Sequence, residues 1–302
     1  MNEGILFGLA AAVCFGISDT IAALSSRRIG AIPTAVGVMV CGFISLTVFA
    51  VFVRPKVPAD MDWALPVVAL GVLTGFAYLC LVNALRLGPI SIVSPLGGSS
   101  GAVTVAIAVI FLGDRPRLQE WVALGVTTAG AITVALVRMP GARLRIGSGP
   151  AFAGLAVIGY AISITGLQSS IRAVGWLPTL VVWRAASLVV TTAVFGFSAA
   201  RVRRGDQAVL SGDFNGVPAW LFRRVYGLPV ALVLAGFLES AGQILRSFGL
   251  AVAPVWLVGI MSPLATIVVI SAGVVLFGER LSRAQILGNL LVGMGLVLLA
   301  LP

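Results

Sequence analysis

The chain has 302 residues, of which 59% are hydrophobic and 10% charged, with a formal net charge of +10. A soluble domain of this size needs far more polar surface, so lipid is the expected solvent. The basic residues cluster between apolar runs instead of forming a tail or one continuous face, which argues for loop arginines that orient membrane helices and against nucleic-acid binding.

Ten apolar runs lie near 5–24, 32–53, 63–86, 89–112, 121–137, 151–173, 178–200, 227–248, 253–277 and 284–301. Each approaches the roughly 20 residues needed to cross a hydrocarbon core. The first run lacks a basic leader and is followed by nine more, so it reads as a mature helix and not as a cleaved signal. Its Asp19 lies about three quarters of the way along, with Gly8, Ala12, Gly16 and Ala23 near the same face. Small residues permit close packing, so this carboxylate is expected to face the bundle interior, where ionisable groups serve ion or proton pathways.

The third span offers Tyr78 and Asn83 as hydrogen-bonding groups. The fourth is interrupted at Ser94-Pro95-Leu96-Gly97-Gly98. After the fifth, the Gly- and Pro-containing stretch 138–149 separates two sets of five spans, giving expected units of 1–140 and 141–302. The sixth span carries Tyr160, Ser163 and Gln168, and the seventh carries Trp183 and Arg184. Trp183 suits an interface anchor or a pocket wall. Arg184 stays charged, so inside a bundle it needs a carboxylate, carbonyl oxygens or an anionic substrate; Asp19 and Glu239 are the rival partners. The stretch 201–226 interleaves arginines with Trp220, Phe222 and Tyr226, a composition fitted to the headgroup level.

Glu239 lies mid-span in the eighth run, with Gln243 at i+4 and Arg246 at i+7, a polar stripe on an apolar helix. Alternating exposure of such a carboxylate to two environments would load and unload a proton, and Glu239→Gln is expected to abolish gradient-driven transport while leaving folding intact. Arg246 reads as a snorkelling end residue. The ninth span is interrupted at Ser262-Pro263, where Gly98 of the fourth has its counterpart. Pro removes an internal hydrogen bond and Gly weakens a helix, so paired interruptions point to cavity-lining backbone near the membrane midplane.

Residues 165 apart repeat the same punctuation: Gly71 with Gly236, Pro89 with Pro254, Gly113 with Gly278, Arg115 with Arg280, and Gly130 with Gly295. An odd number of spans per unit inverts the second copy. The expected fold is therefore an all-α integral membrane protein with ten transmembrane helices in two inverted five-helix repeats.

Leu112-Gly113-Asp114-Arg115 and Phe277-Gly278-Glu279-Arg280 are similar to the Leu-Gly-Glu-Arg signature that ends the fourth helix of each repeat in the EamA branch of the drug/metabolite transporter superfamily. The final helix, with Gly288, Gly293 and Gly295, resembles that branch as well, and the resemblance covers essentially the whole chain. It implies export or import of small metabolites driven by ion or solute gradients; the expected function is a secondary transporter of a bacterial cytoplasmic membrane that moves small polar metabolites such as amino acids outward by alternating access. Asp19, Glu239, Arg184, Gln243, Tyr78 and Tyr160 are the expected substrate-binding or coupling residues. Ser94, Pro95, Gly98, Ser262 and Pro263 are the expected cavity-lining backbone. A flippase for amphipathic substrates and a non-transporting membrane receptor are the alternatives. The arginine excess on loops after odd-numbered spans puts both termini outside the cytoplasm, whereas the resemblance implies cytoplasmic termini.

Enzymatic chemistry finds little support. There is no His, and the one lysine, Lys56, is not in a Gly-rich loop, so His-based catalysis and a nucleotide-binding P-loop are not expected. Cys14, Cys41 and Cys80 lack metal-ligand spacing and read as small packing residues. No cofactor or metal is expected. The expected partners are a small-molecule substrate, the bilayer and protons as a coupling ion, with oligomeric state left open.

Overall fold

The computed structural model describes residues 2–55, 58, 60–87, 93, 100–112, 117–136, 148–203, 227–253, 257–258, 262–277 and 282–300. Among them lie ten α-helices and no strand: α1 (Asn2–Ile29), α2 (Ala31–Val53), α3 (Ala64–Leu87), α4 (Ser100–Ile107), α5 (Leu118–Leu136), α6 (Ser148–Val174), α7 (Trp176–Arg203), α8 (Gly227–Val252), α9 (Ser262–Phe277) and α10 (Arg283–Ala300). A π-helical turn, Ala108–Leu112, continues α4. Six helices, α1, α2, α3, α6, α7 and α8, contain segments long and apolar enough to cross a membrane, against the ten spans expected. The other four, α4, α5, α9 and α10, have 8, 19, 16 and 18 residues.

Several expected features fall outside the described residues: Ser94, Pro95, Gly98, both Gly-acid-Arg motifs and the stretch 204–226. Ser262 and Pro263 form the first turn of α9, where Pro forfeits no helical hydrogen bond.

Lipid gives helices no hydrophobic reason to associate, so close backbone approach and interhelical hydrogen bonds hold the bundle. On α8, a Cβ added to Gly236 would lie 2.7 Å from Gly42 N and 2.8 Å from Val38 O of α2. Beside it, the Ser240 hydroxyl donates to Gly42 O at 2.7 Å. The Ser187 hydroxyl of α7 donates to Gly71 O of α3 at 2.8 Å. Large apolar side chains such as Phe52, Leu65 and Ile110 point outward, as a lipid-facing surface requires.

Packing in one half recurs in the other with the halves exchanged. α1 packs on α8 as α6 packs on α3; α2 packs on α8 as α7 packs on α3; α1 packs on α9 as α6 packs on α4. The correspondence reaches single hydrogen bonds. Ser18 of α1 donates to Ala235 O of α8 at 2.9 Å, and Ser163 of α6 donates to Leu70 O of α3 at 3.3 Å. The two serines are 145 residues apart and the two carbonyls 165. The α1–α2 and α6–α7 junctions agree: Gly30 (φ 95°) and Gly175 (φ 101°) are also 145 apart and adopt the left-handed backbone that glycine alone accepts without strain. The first two helices of each half thus correspond at an offset of 145 and α3 corresponds to α8 at 165, the difference arising from the longer C-terminal end of α7, the longer connection to α8 and the earlier start of α8.

Candidate functional site

Where α1, α3, α6 and α8 meet, a cavity of about 120 Å³ opens, also reached by Ser100 at the start of α4 and Thr266 in α9. Its position follows from the paired packing: α1 lies on α8, α6 lies on α3, and the space enclosed between the two pairs is lined by all four.

The structure brings most of the expected site residues to this place. Asp19, Tyr78, Tyr160, Glu239 and Gln243 all line the cavity. Arg184 does not; it is 1% exposed and its guanidinium NH2 forms an ion pair with Glu239 Oε2, joining α7 to α8. Of the partners weighed for Arg184, the structure selects Glu239. Nε and NH1 of Arg184 have no hydrogen-bond partner among the described residues.

From Glu239 a polar chain runs along α8. Gln243 Nε2 donates to Glu239 Oε1 at 2.9 Å, and Arg246 NH2 donates to Gln243 Oε1. The i+4 and i+3 spacings put these groups on one face, and the carboxamide links an anion to a cation through its two different ends. The Arg246 guanidinium lies over the Phe15 ring of α1, 5.3 Å from its centroid, a cation–π arrangement. Arg246 is therefore a cavity residue and not the snorkelling end residue that its sequence position suggested. Trp183 departs from both of its expected roles. It is 1% exposed and absent from the cavity wall, and its Nε1–H donates to Thr74 Oγ1 at 3.1 Å, while the Thr74 hydroxyl donates to Ser163 Oγ at 2.8 Å.

Asp19 makes no hydrogen bond or ion pair among the described residues, and the Tyr78 hydroxyl, on a side chain 3% exposed, is likewise without a partner. Gln168 Nε2 donates to Ala253 O at 3.4 Å, tying α6 to the residue just past the end of α8, away from the cavity. Cys14, Cys41 and Cys80 are free thiols, and the described residues hold no cluster of metal-ligating side chains.

The offsets found in the packing sort the lining into equivalent pairs. Phe15 of α1 corresponds to Tyr160 of α6, and Tyr78 of α3 to Gln243 of α8. The charged positions break the symmetry: Asp19 corresponds to Ile164, and Arg246 to Leu81. Among the described residues, the cavity's carboxylates and guanidinium groups thus all belong to the α1–α8 wall, and the α3–α6 wall is apolar apart from its two tyrosine hydroxyls.

Comparison with known proteins places this architecture. A protein of known crystal structure superposes with a TM-score of 0.68 at 17% identity, over 99% of this chain and 96% of that one, a likeness of fold alone. A Sinorhizobium protein described as an uncharacterized transporter in the cobO 3' region is 33% identical over 66 residues, which is 22% of this chain. The match spans about half, 47%, of that curated relative's length. Residues 2–136, a little under half of the chain, match the model of the EamA-like transporter family.

Proposed function

We propose that this protein is a secondary transporter that exports small polar metabolites across a bacterial cytoplasmic membrane by alternating access. The observation that carries the proposal is the polar cavity enclosed between two helix pairs, each joining one helix from either half of the chain, with Asp19, Glu239, Gln243 and Arg246 gathered on one wall. Isolated ionisable groups are costly in lipid, and three of them with a carboxamide on one cavity wall are retained for a path or a ligand.

The recurrence of packing between the halves supports ten spanning helices in two inverted five-helix units, 1–140 and 141–302, with access alternating as one unit rocks against the other. In this scheme the Arg184–Glu239 pair holds α7 and α8 together at the cavity wall, and Asp19, which has no partner among the described residues, takes up and releases the coupling proton.

Solute counterflow in proteoliposomes tests the reading. A panel of amino acids and related metabolites trapped inside should drive uptake of at least one labelled member, and Asp19→Asn should uncouple that flux from an imposed proton gradient while leaving counterflow in place. Absence of counterflow across the panel would favour a receptor. A gradient response unchanged in Asp19→Asn would remove the coupling assignment.

A further inference from the structure

The symmetry-breaking charges of the cavity bear on what it binds. Arg184 is committed to Glu239 and is absent from the cavity wall, so an anionic solute entering the cavity does not meet it directly. Arg246 is different. It is half-buried, it lines the cavity, and one of its terminal nitrogens is held by Gln243 Oε1 while the guanidinium plane rests near the Phe15 ring. A guanidinium carries five N–H donors in a fixed fork, so orientation by Gln243 leaves donors over for a second acceptor. The equivalent position on the opposite wall is Leu81, and Ile164 lines the same wall.

We propose that Arg246 is the anion anchor of the cavity and that the ligand is a small carboxylate-bearing solute with an apolar portion. The carboxylate seats on the free N–H groups of Arg246, and the apolar portion lies across the cavity against Leu81 and Ile164. Gln243 and Phe15 are positioning residues: they fix the plane of the guanidinium from two sides, which removes rotamer entropy before the ligand arrives. The Tyr78 hydroxyl, buried and without a partner among the described residues, is a second polar group at the same cavity for the solute head. Asp19 on the anchoring wall disfavours a second negative charge on the solute and accepts an ammonium group. This inference rests on the transport reading for its physiological meaning, but the binding chemistry is testable without transport.

The test is ligand-induced thermal stabilisation of the purified full chain in detergent, since a ligand that binds only the folded state raises Tm with concentration. Three probes share one apolar skeleton: 4-methylpentanoate, leucine and isoamylamine. The two carboxylate-bearing probes should stabilise the parent protein and isoamylamine should not. Loss of a charge-assisted contact weakens affinity by roughly ten- to a hundred-fold, so Arg246→Gln should shift both active titrations by about that factor. Arg246→Lys should recover part of the affinity, because a point charge replaces the fork. Phe15→Leu, which leaves every charge in place, should weaken both carboxylate probes by a smaller factor.

Equal stabilisation by isoamylamine, equal titrations in Arg246→Gln, or no shift with any probe up to the solubility limit would each overturn the proposal. Carboxylate-dependent stabilisation without counterflow would retain the anchor and sink the transport reading. Counterflow with no dependence on Arg246 would do the reverse.

Discussion

Arg184 of α7 and Glu239 of α8 form an ion pair with side chains only 1% and 7% exposed. Removing one partner of such a pair leaves an uncompensated buried charge and costs about 3–5 kcal/mol, whereas replacing both with apolar residues is frequently neutral or better. Glu239→Gln is therefore expected to lower the unfolding midpoint in detergent clearly, in contrast to the intact folding that the sequence suggested. Arg184→Met combined with Glu239→Leu should recover most of the loss. The check is a double-mutant cycle on thermal unfolding. A single Glu239→Gln variant as stable as the parent would show that the pair contributes nothing.

Gly42 is the position at which that ion pair is most sensitive to a single carbon. A Cβ there would come within 2.8 Å of Ser240 Oγ and 3.0 Å of Gly236 O, and would collide with the Arg184 guanidinium. Neither α8 backbone nor a committed guanidinium can yield cheaply, so Gly42→Ala is expected to destabilise by about 1–3 kcal/mol through overpacking, despite alanine's better helix propensity. Gly125→Ala is the matched control, because a Cβ at that helical glycine meets nothing within 4 Å. It should be neutral or slightly stabilising in the same unfolding assay.

Much of this site was legible in the sequence because helical spacing is fixed. Glu239, Gln243 and Arg246 fall on one stripe of α8 by their numbering alone, and the small residues around Asp19 correctly turned it inward. Partner choice was not legible, since spacing within one helix says nothing of which residue a neighbouring helix presents; Arg184 had two carboxylates to choose from. Arg246 was misread because its distance from the span centre was taken as distance from the site, whereas its side chain reaches back to Gln243. The repeat was seen at a single offset of 165, which aligns α3 with α8. That offset misses the correspondence of Ser18 with Ser163 and of Gly30 with Gly175, because the longer connection before α8 changes the spacing.

The two left-handed glycines make a prediction about the junctions. Gly30 and Gly175 have φ of 95° and 101°, where an L side chain is strained irrespective of space. Gly175→Ala is the cleaner test, because its nearest outside neighbour, Pro178 Cδ, would lie at an ordinary 3.9 Å from the added Cβ, so any loss reports backbone strain. A cost of about 1–2 kcal/mol is expected from the left-handed conformation. Chemical denaturation in mixed micelles measures it, and a neutral outcome would mean that the α6–α7 junction relaxes out of that conformation.

Ser18 and Ser163 allow the correspondence between the halves to be weighed energetically. Each hydroxyl crosses to a carbonyl of the helix packed against its own, Ala235 O and Leu70 O, at 2.9 and 3.3 Å. Those carbonyls already accept hydrogen bonds within their helices, and Leu70 O also accepts from the Thr74 hydroxyl at 2.9 Å, so removing either serine leaves no acceptor wholly unsatisfied. Interhelical hydrogen bonds in membrane proteins average about 0.6 kcal/mol, so Ser18→Ala and Ser163→Ala should each cost about that much, with Ser18 the larger because its bond is shorter. The serines sit in different helix pairs and share no hydrogen-bonding partner, so the double variant should lose the sum to within about 0.5 kcal/mol. Ser163 also accepts from Thr74, which in turn accepts from Trp183, whereas Ser18 has no such chain behind it. A Ser163→Ala cost far above that of Ser18→Ala would therefore locate the excess in the Trp183–Thr74–Ser163 chain, and a Thr74→Val variant measured alongside should then reproduce it.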